Sequence, residues 1–153
     1  MKKNTKKISA FVFLFTGLFL MSQTVLADDT FDITSQPFSQ HIPQNAIRVP
    51  FLIIKIKPKK DVWVSEIDVK QTGLSSSSDI KKVYAVLDGK RSFGVSVNND
   101  SRAYIKFMTP IFLKEGKVAE ARIEAHLNSQ GARTIGFTLE KIQTVVNGKV
   151  RRK

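Results

Sequence analysis

The stretch that decides the fold is Ala119-Glu120-Ala121-Arg122-Ile123-Glu124-Ala125-His126-Leu127, in which apolar and polar residues alternate. Successive side chains of a β-strand point to opposite faces, so the alternation predicts a strand over 118–128 with one buried and one wet face. His126 falls on the polar face and is expected to be a surface residue.

Short runs of β-branched and aromatic residues, separated by Gly, Pro, Asn and Ser, continue on both sides of this strand. No stretch has a sustained helical period, although one helical turn is possible before Ile80. The regular spacing of the runs predicts an all-β sandwich of two antiparallel sheets. Strands are expected near residues 30–34, 40–42, 46–57, 62–71, 82–87, 92–97, 102–108, 118–128 and 133–146. Periodicity assigns Phe93, Val95 and Val97 to the core.

One predicted strand changes phase. Val62 and Val64 have even residue numbers, whereas Ile67 and Val69 have odd ones, so in a regular strand the two pairs would face opposite sides. The strand must therefore bulge near 65–66 for both pairs to face the core. Trp63 then points away from the Val62 and Val64 face and is expected to be partly exposed. Two interpretations stay open for Trp63, a packing cover over a neighbouring loop or a contact surface for a sugar ring or a partner chain.

The chain begins with four lysines within its first seven residues, followed by an apolar run over 8–21 and then Val25-Leu26-Ala27. This order is typical of a secretory signal peptide cleaved after Ala27, with an uncleaved anchor as the alternative. Cleavage would remove four of the 25 basic residues and none of the 13 acidic ones, which lowers the net charge from +12 to +8. The predicted organisation is therefore a signal peptide at 1–27, a β-sandwich domain at 28–147 and a basic tail at 148–153.

The composition argues against catalysis. The chain has no cysteine and only two histidines, His41 and His126, which are far apart in the sequence. It lacks the GxSxG, HExxH and GxxxxGK motifs of common catalytic and phosphate-binding sites. Acidic residues near 28–32 and the turn at 98–100 lack an ordered set of calcium ligands. We therefore predict no enzyme activity, no cofactor and no metal; Asn99 begins a glycosylation sequon.

Basic residues form three groups that are candidates for contact with an anionic polymer. The alternative is a solubilising surface that protects edge strands. Specific nucleic-acid recognition is not expected, because only Trp63 and Tyr104 are available as exposed aromatic contacts. The three groups are Lys55, Lys57, Lys59 and Lys60; Lys81, Lys82, Lys90 and Arg91; and, as the best location, Lys149, Arg151, Arg152 and Lys153.

The order of these segments resembles the immunoglobulin-like β-sandwich repeats of secreted surface proteins from small-genome, uncultivated bacteria. The segments that carry the resemblance are 36–42, 49–56, 61–69, 72–83, 87–90, 110–116 and 121–127. They are turns and core positions, and they cover almost all of the chain after residue 27. The resemblance implies an immunoglobulin-like fold and a non-catalytic extracellular building block. Such repeats usually occur in tandem, so a single copy favours a free-standing subunit or accessory protein.

We therefore expect an exported module at the cell surface, outside the cell or in the periplasm, which meets the membrane only during export. Its expected role is structure, adhesion or assembly through contacts with other envelope or surface proteins. Self-association is a further possibility, in which residues 28–33 add as a strand to a neighbouring sheet edge. The alternative is a module that binds a polyanion or a carbohydrate, with Trp63 and Tyr104 as partner contacts.

Overall fold

The computed structural model describes residues 29–37, 46–128 and 134–146. The predicted signal peptide, the predicted strand at 40–42 and the basic residues from Lys149 to Lys153 lie outside these ranges. The described part is all-β, as predicted, with one 3-10 helix at Ser77–Asp79 where a helical turn was expected. Its strands are β1 Phe31–Pro37, β2 Val49–Pro58, β3 Val62–Gly73, β4 Ile80–Leu87, β5 Lys90–Arg91, β6 Arg102–Leu113, β7 Ala119–Leu127 and β8 Ile135–Val145.

The strands form two antiparallel sheets that pack as a sandwich. One sheet has five strands in the order β1-β2-β7-β4-β5, and the other has three in the order β6-β3-β8. Strand β7 lies inside the larger sheet and buries Ala121, Ile123 and Ala125, the apolar set that its alternation predicts. Between the sheets, the rings of Phe51 on β2 and Phe137 on β8 meet edge to face with centroids 5.8 Å apart. The chain has no cysteine, so the apolar core joins the sheets without a disulfide.

Turn residues fix the hairpin between β4 and β5. Asp88 and Gly89 both have positive φ, at 50° and 74°, which is the geometry of a two-residue hairpin turn with the twist that β-strands need. Leu87 and Lys90 pair directly across this turn. The hairpin predicted from Asp88-Gly89 is therefore present.

The prediction of a strand at 92–97 is wrong. This segment forms only one isolated β-bridge, between Val95 and Val83. Just after β5, the Ser92 hydroxyl oxygen accepts a hydrogen bond from the backbone N–H of Ala85 at 2.9 Å. In a regular antiparallel pair, a backbone carbonyl would accept this hydrogen bond. This irregularity changes the phase of the segment. Phe93 is consequently 64% exposed, whereas Val95 and Val97 are partly buried against the core.

The bulge predicted in β3 is confirmed. The register of β3 shifts between Val64 and Glu66 against both β6 and β8. Strand β6 runs past its predicted end to Leu113, with Pro110 in an irregular stretch; a proline is tolerated there because β6 is an edge strand.

Strand β1 pairs along its whole length with β2 of the same chain. Phe31, at its start, is buried in the core. Donation of this segment to another molecule would therefore first require its removal from its own sheet.

Candidate contact face

The outer face of the three-stranded sheet, which we call the contact face, carries the most distinctive side chains of the described structure. Because directly opposite residues of neighbouring strands share a face, the register defines its rows. From β6 through β3 to β8, successive rows are Phe112-Trp63-Val145, Lys106-Glu66-Gln143, Tyr104-Asp68-Lys141 and Arg102-Lys70-Thr138.

The first row is apolar. The Trp63 and Phe112 rings are in contact, with centroids 5.1 Å apart and planes inclined by 51°. Trp63 is partly buried, while Phe112 is 43% exposed. Trp63 therefore packs against a residue of the neighbouring strand.

Tyr104 lies on the same face, opposite Asp68. Its exposed fraction is 43%, equal to that of Phe112. The structure therefore brings both predicted contact residues, Trp63 and Tyr104, to one face of one sheet. Between their rows lies a polar cluster.

The cluster is built on two carboxyl groups of the central strand. Glu66 and Asp68 are only 8% and 6% exposed. The side-chain Nε2 of Gln143 donates to Glu66 Oε1 at 3.2 Å and to Asp68 Oδ2 at 3.1 Å. Lys106 Nζ lies 3.5 Å from Glu66 Oε2. Asp68 Oδ1 is buried and has no hydrogen-bond partner within the described part of the chain.

Burial is the main cause that raises the pKa of Glu66 above its ordinary value. The hydrogen bond that a protonated Glu66 carboxyl donates to Asp68 and the negative charge of Asp68 raise this pKa further, while Lys106 opposes both. At the far end of the face, Glu140 lies 3.0 Å from Arg102 and raises the pKa of its guanidinium. Ionisation of the Glu66 carboxyl is thus disfavoured at this position.

Glu66, Asp68 and Gln143 did not emerge from the sequence as site residues. The predicted bulge was a usable signal, because a phase change after Val64 turns Glu66 and Asp68 to the same outer side as Trp63. Gln143 is 77 residues from Glu66 and gave no such signal. Its place depends on the pairing register of β3 and β8, which shifts twice.

The first predicted basic group does not form a surface of one sign. On the outer face of the five-stranded sheet, Lys55 pairs with Glu120 and Lys57 with Asp32. Lys59 Nζ forms an ion pair with Asp32 Oδ1 at 3.2 Å. Acidic residues therefore alternate with these lysines and weaken the local positive potential.

In the second basic group, Arg91 packs over the Tyr84 ring at 4.1 Å and forms an ion pair with Glu124 at 3.5 Å. Glu124 is buried beneath this contact, although its position on the strand predicts a wet face. His126, on the same outer face, is partly exposed. Arg91 is therefore engaged within its own sheet.

No family model matches this chain, and no curated protein matches it either. Among the side chains at 29–37, 46–128 and 134–146, no group of three or more His, Asp or Glu could hold a metal ion. A search of the same residues finds no helix that is long and apolar enough to cross a membrane.

Proposed function

We propose that this chain is an exported, non-catalytic, immunoglobulin-like module that binds a partner protein through the contact face. The observation that carries the proposal is the row of Trp63, Phe112 and Val145, whose central tryptophan is held in place by its neighbours while Phe112 is 43% exposed. The partner would be another protein of the cell envelope or cell surface.

The composition of the face supports a protein partner. Tryptophan and tyrosine are enriched among the residues that dominate binding energy at protein interfaces, where they fill pockets and exclude water. Here Trp63 and Tyr104 project from hydrogen-bonded strands, so little backbone freedom is lost on binding. A rigid sheet that presents aromatic anchors is an effective contact surface.

A carbohydrate is the second candidate, and one observation favours it. The Trp63-Phe112 pair lies one row from carboxyl and amide groups, and aromatic rings beside such groups suit the apolar faces and hydroxyls of a sugar. The two rings are inclined by 51°, however, and do not form one flat platform for a sugar. The tilted pair is better suited to the irregular surface of a protein than to the flat face of a sugar ring.

A polyanion is the least supported partner. Lys55, Lys57 and Lys59 each have an acidic neighbour, so the described surface offers no long basic track at these positions. The remaining support for this alternative is the tail at 148–153 and Lys81, Lys82 and Lys90 of the second basic group.

Export rests on residues 1–27, whose basic start, apolar run and Val-Leu-Ala sequence are typical of a signal peptide. The immunoglobulin-like assignment rests on the sequence resemblance together with the two antiparallel sheets. Both are parts of the proposal.

The test compares Phe112→Ala with Phe93→Ala in the organism that makes the protein. Both residues are exposed phenylalanines, but Phe93 lies beside the other sheet. We expect Phe112→Ala to weaken retention on the cell envelope about tenfold or more, since loss of an anchor costs about 2 kcal/mol. Phe93→Ala should leave retention unchanged. Retention would be measured as the bound fraction at increasing protein concentration.

Equal retention of both variants and the unchanged protein would contradict the proposal. Thermal unfolding of each variant serves as the control for folding. If the retained protein is released by a glycan competitor and survives protease treatment of the envelope, the partner is a carbohydrate. Release by salt alone would indicate a polyanion.

A further inference from the structure

The Glu66 and Asp68 carboxyl groups are short of hydrogen-bond donors. When both are ionised they are acceptors only, yet among the described residues the side-chain donors that reach them are the single Nε2 of Gln143 and the Lys106 ammonium. Asp68 Oδ1 is buried without a partner in the described structure. An unpaired buried carboxylate oxygen is costly, so a proton on this pair would remove one charge and add one donor.

We infer that Glu66 and Asp68 share one proton in the folded protein, and that the contact face therefore changes its charge by one unit when this proton leaves. The pair is a pH-sensitive element at the centre of the face. Its effect on partner binding rests on the proposed function, whereas the proton itself is a property of the free protein.

The charged and titratable groups around the pair do not remove the need for this proton. Lys106 lies 3.5 Å from Glu66, and 73% of its side chain is exposed to screening water. Glu140 on β8 is already paired with Arg102 on β6. The other groups of this kind in the rows of the face are Lys70 on β3, Tyr104 on β6 and Lys141 on β8.

The raised pKa of Glu66 agrees with this geometry, because burial and Asp68 both favour its protonated form. The folded protein then binds the Glu66 proton more tightly than the unfolded chain does. This contribution to stability is fully present below the unfolded-state pKa and is lost as the pH rises through the folded-state pKa. Glu66→Gln, which cannot ionise, should remove that loss, and urea unfolding across this pH window would measure it.

A partner that covers the face would bury the pair further. Desolvation favours the neutral form of a carboxyl group, so the pair is expected to take up a proton when an apolar surface binds. The affinity for such a partner should therefore increase as the pH falls. A partner that brings a cation to Asp68 Oδ1 would reverse this sign. The pair therefore makes partner affinity depend on pH at a position that does not itself need to touch the partner.

The decisive experiment is a carbon-13 NMR titration of the side-chain carboxyls in the full-length protein without a partner. In the unchanged protein, the Glu66 midpoint should lie above the value of about 4.3 for a free glutamate. In Asp68→Asn it should fall, because the hydrogen bond with Asp68 and the negative charge of Asp68 are gone. The matched control is Glu140→Gln, which removes another carboxylate from the same face and should leave the Glu66 midpoint unchanged.

A Glu66 midpoint that does not fall in Asp68→Asn would overturn the inference, because burial alone would then account for its raised value. A midpoint at the free value in the unchanged protein would overturn it as well. The Gln143 side-chain amide gives a measurement that needs no variant: both of its proton signals should shift with the Glu66 midpoint, and an amide that does not respond would contradict the shared proton. A pair that titrates as expected on a face that no partner uses would refute only the proposed function.

Discussion

Phe137→Ala is expected to lower the free energy of unfolding by about 3–5 kcal/mol, a large part of the roughly 5–15 kcal/mol that holds a typical domain together. Phe137 is fully buried and meets Phe51 of the opposite sheet edge to face. Truncation removes apolar contact area from both sheets and leaves a cavity at their junction. Urea unfolding followed by tryptophan fluorescence would measure the loss through Trp63.

Phe93→Ala is the control for this change. Phe93 is 64% exposed, so the same truncation there should alter the free energy of unfolding by no more than about 0.5 kcal/mol. Similar losses for the two variants would contradict a core in which Phe137 joins the sheets.

Gly73→Ala should also destabilise the protein strongly, by about 3 kcal/mol or more. Gly73 has a φ of +95°, and a Cβ at this position would lie 2.3 Å from the backbone carbonyl oxygen of Thr134. The left-handed backbone region costs a residue with a side chain about 1–2 kcal/mol, and the clash with a backbone atom adds to that cost. Urea unfolding again supplies the measurement.

Gly89→Ala and Gly116→Ala separate the two causes. These glycines have positive φ values of +74° and +70°, but nothing lies within 4 Å of an added Cβ. In these two variants the free energy of unfolding should fall only by the backbone cost, about 1–2 kcal/mol. If Gly73→Ala were no worse than these two variants, the close approach of β3 and the start of β8 would be refuted. That approach matters for the contact face, because Gly73 pairs with Ile135 at the end of the ladder that carries Gln143.

Strands with strict alternation could be predicted from the sequence. When one face of a sheet is buried, an alternation of apolar and polar residues fits a β-strand with its apolar residues turned to the core. Strand β7 and the hairpin at Asp88-Gly89 illustrate this. The segment at 92–97 could not be predicted in the same way, since its phase depends on a hydrogen bond between Ser92 and Ala85 that the alternation of Phe93, Val95 and Val97 does not reveal. The local pattern identifies the apolar residues of this segment but not whether each of them faces the core or the solvent.

The candidate site was predictable only in part. The bulge in β3 was visible in the parity of Val62, Val64 and Ile67, and Trp63 and Tyr104 stood out as aromatic residues on outward positions. The polar cluster between them requires three strands in a specific register, with Gln143 brought beside Glu66 and Asp68. Such long-range register is set by bulges in both partners, and a single sequence does not reveal it.

The central claim is that the molecule meets its partner through the contact face, and photo-crosslinking in the living producer cell tests it most directly. A photoreactive phenylalanine analogue would replace Phe112 in one variant and Phe93 in the other, so that the same chemistry is presented on different parts of the surface. The account predicts a discrete crosslinked product from position 112, removed by protease, and none from position 93. Crosslinks from position 93 alone, or equal products from both positions, would contradict it.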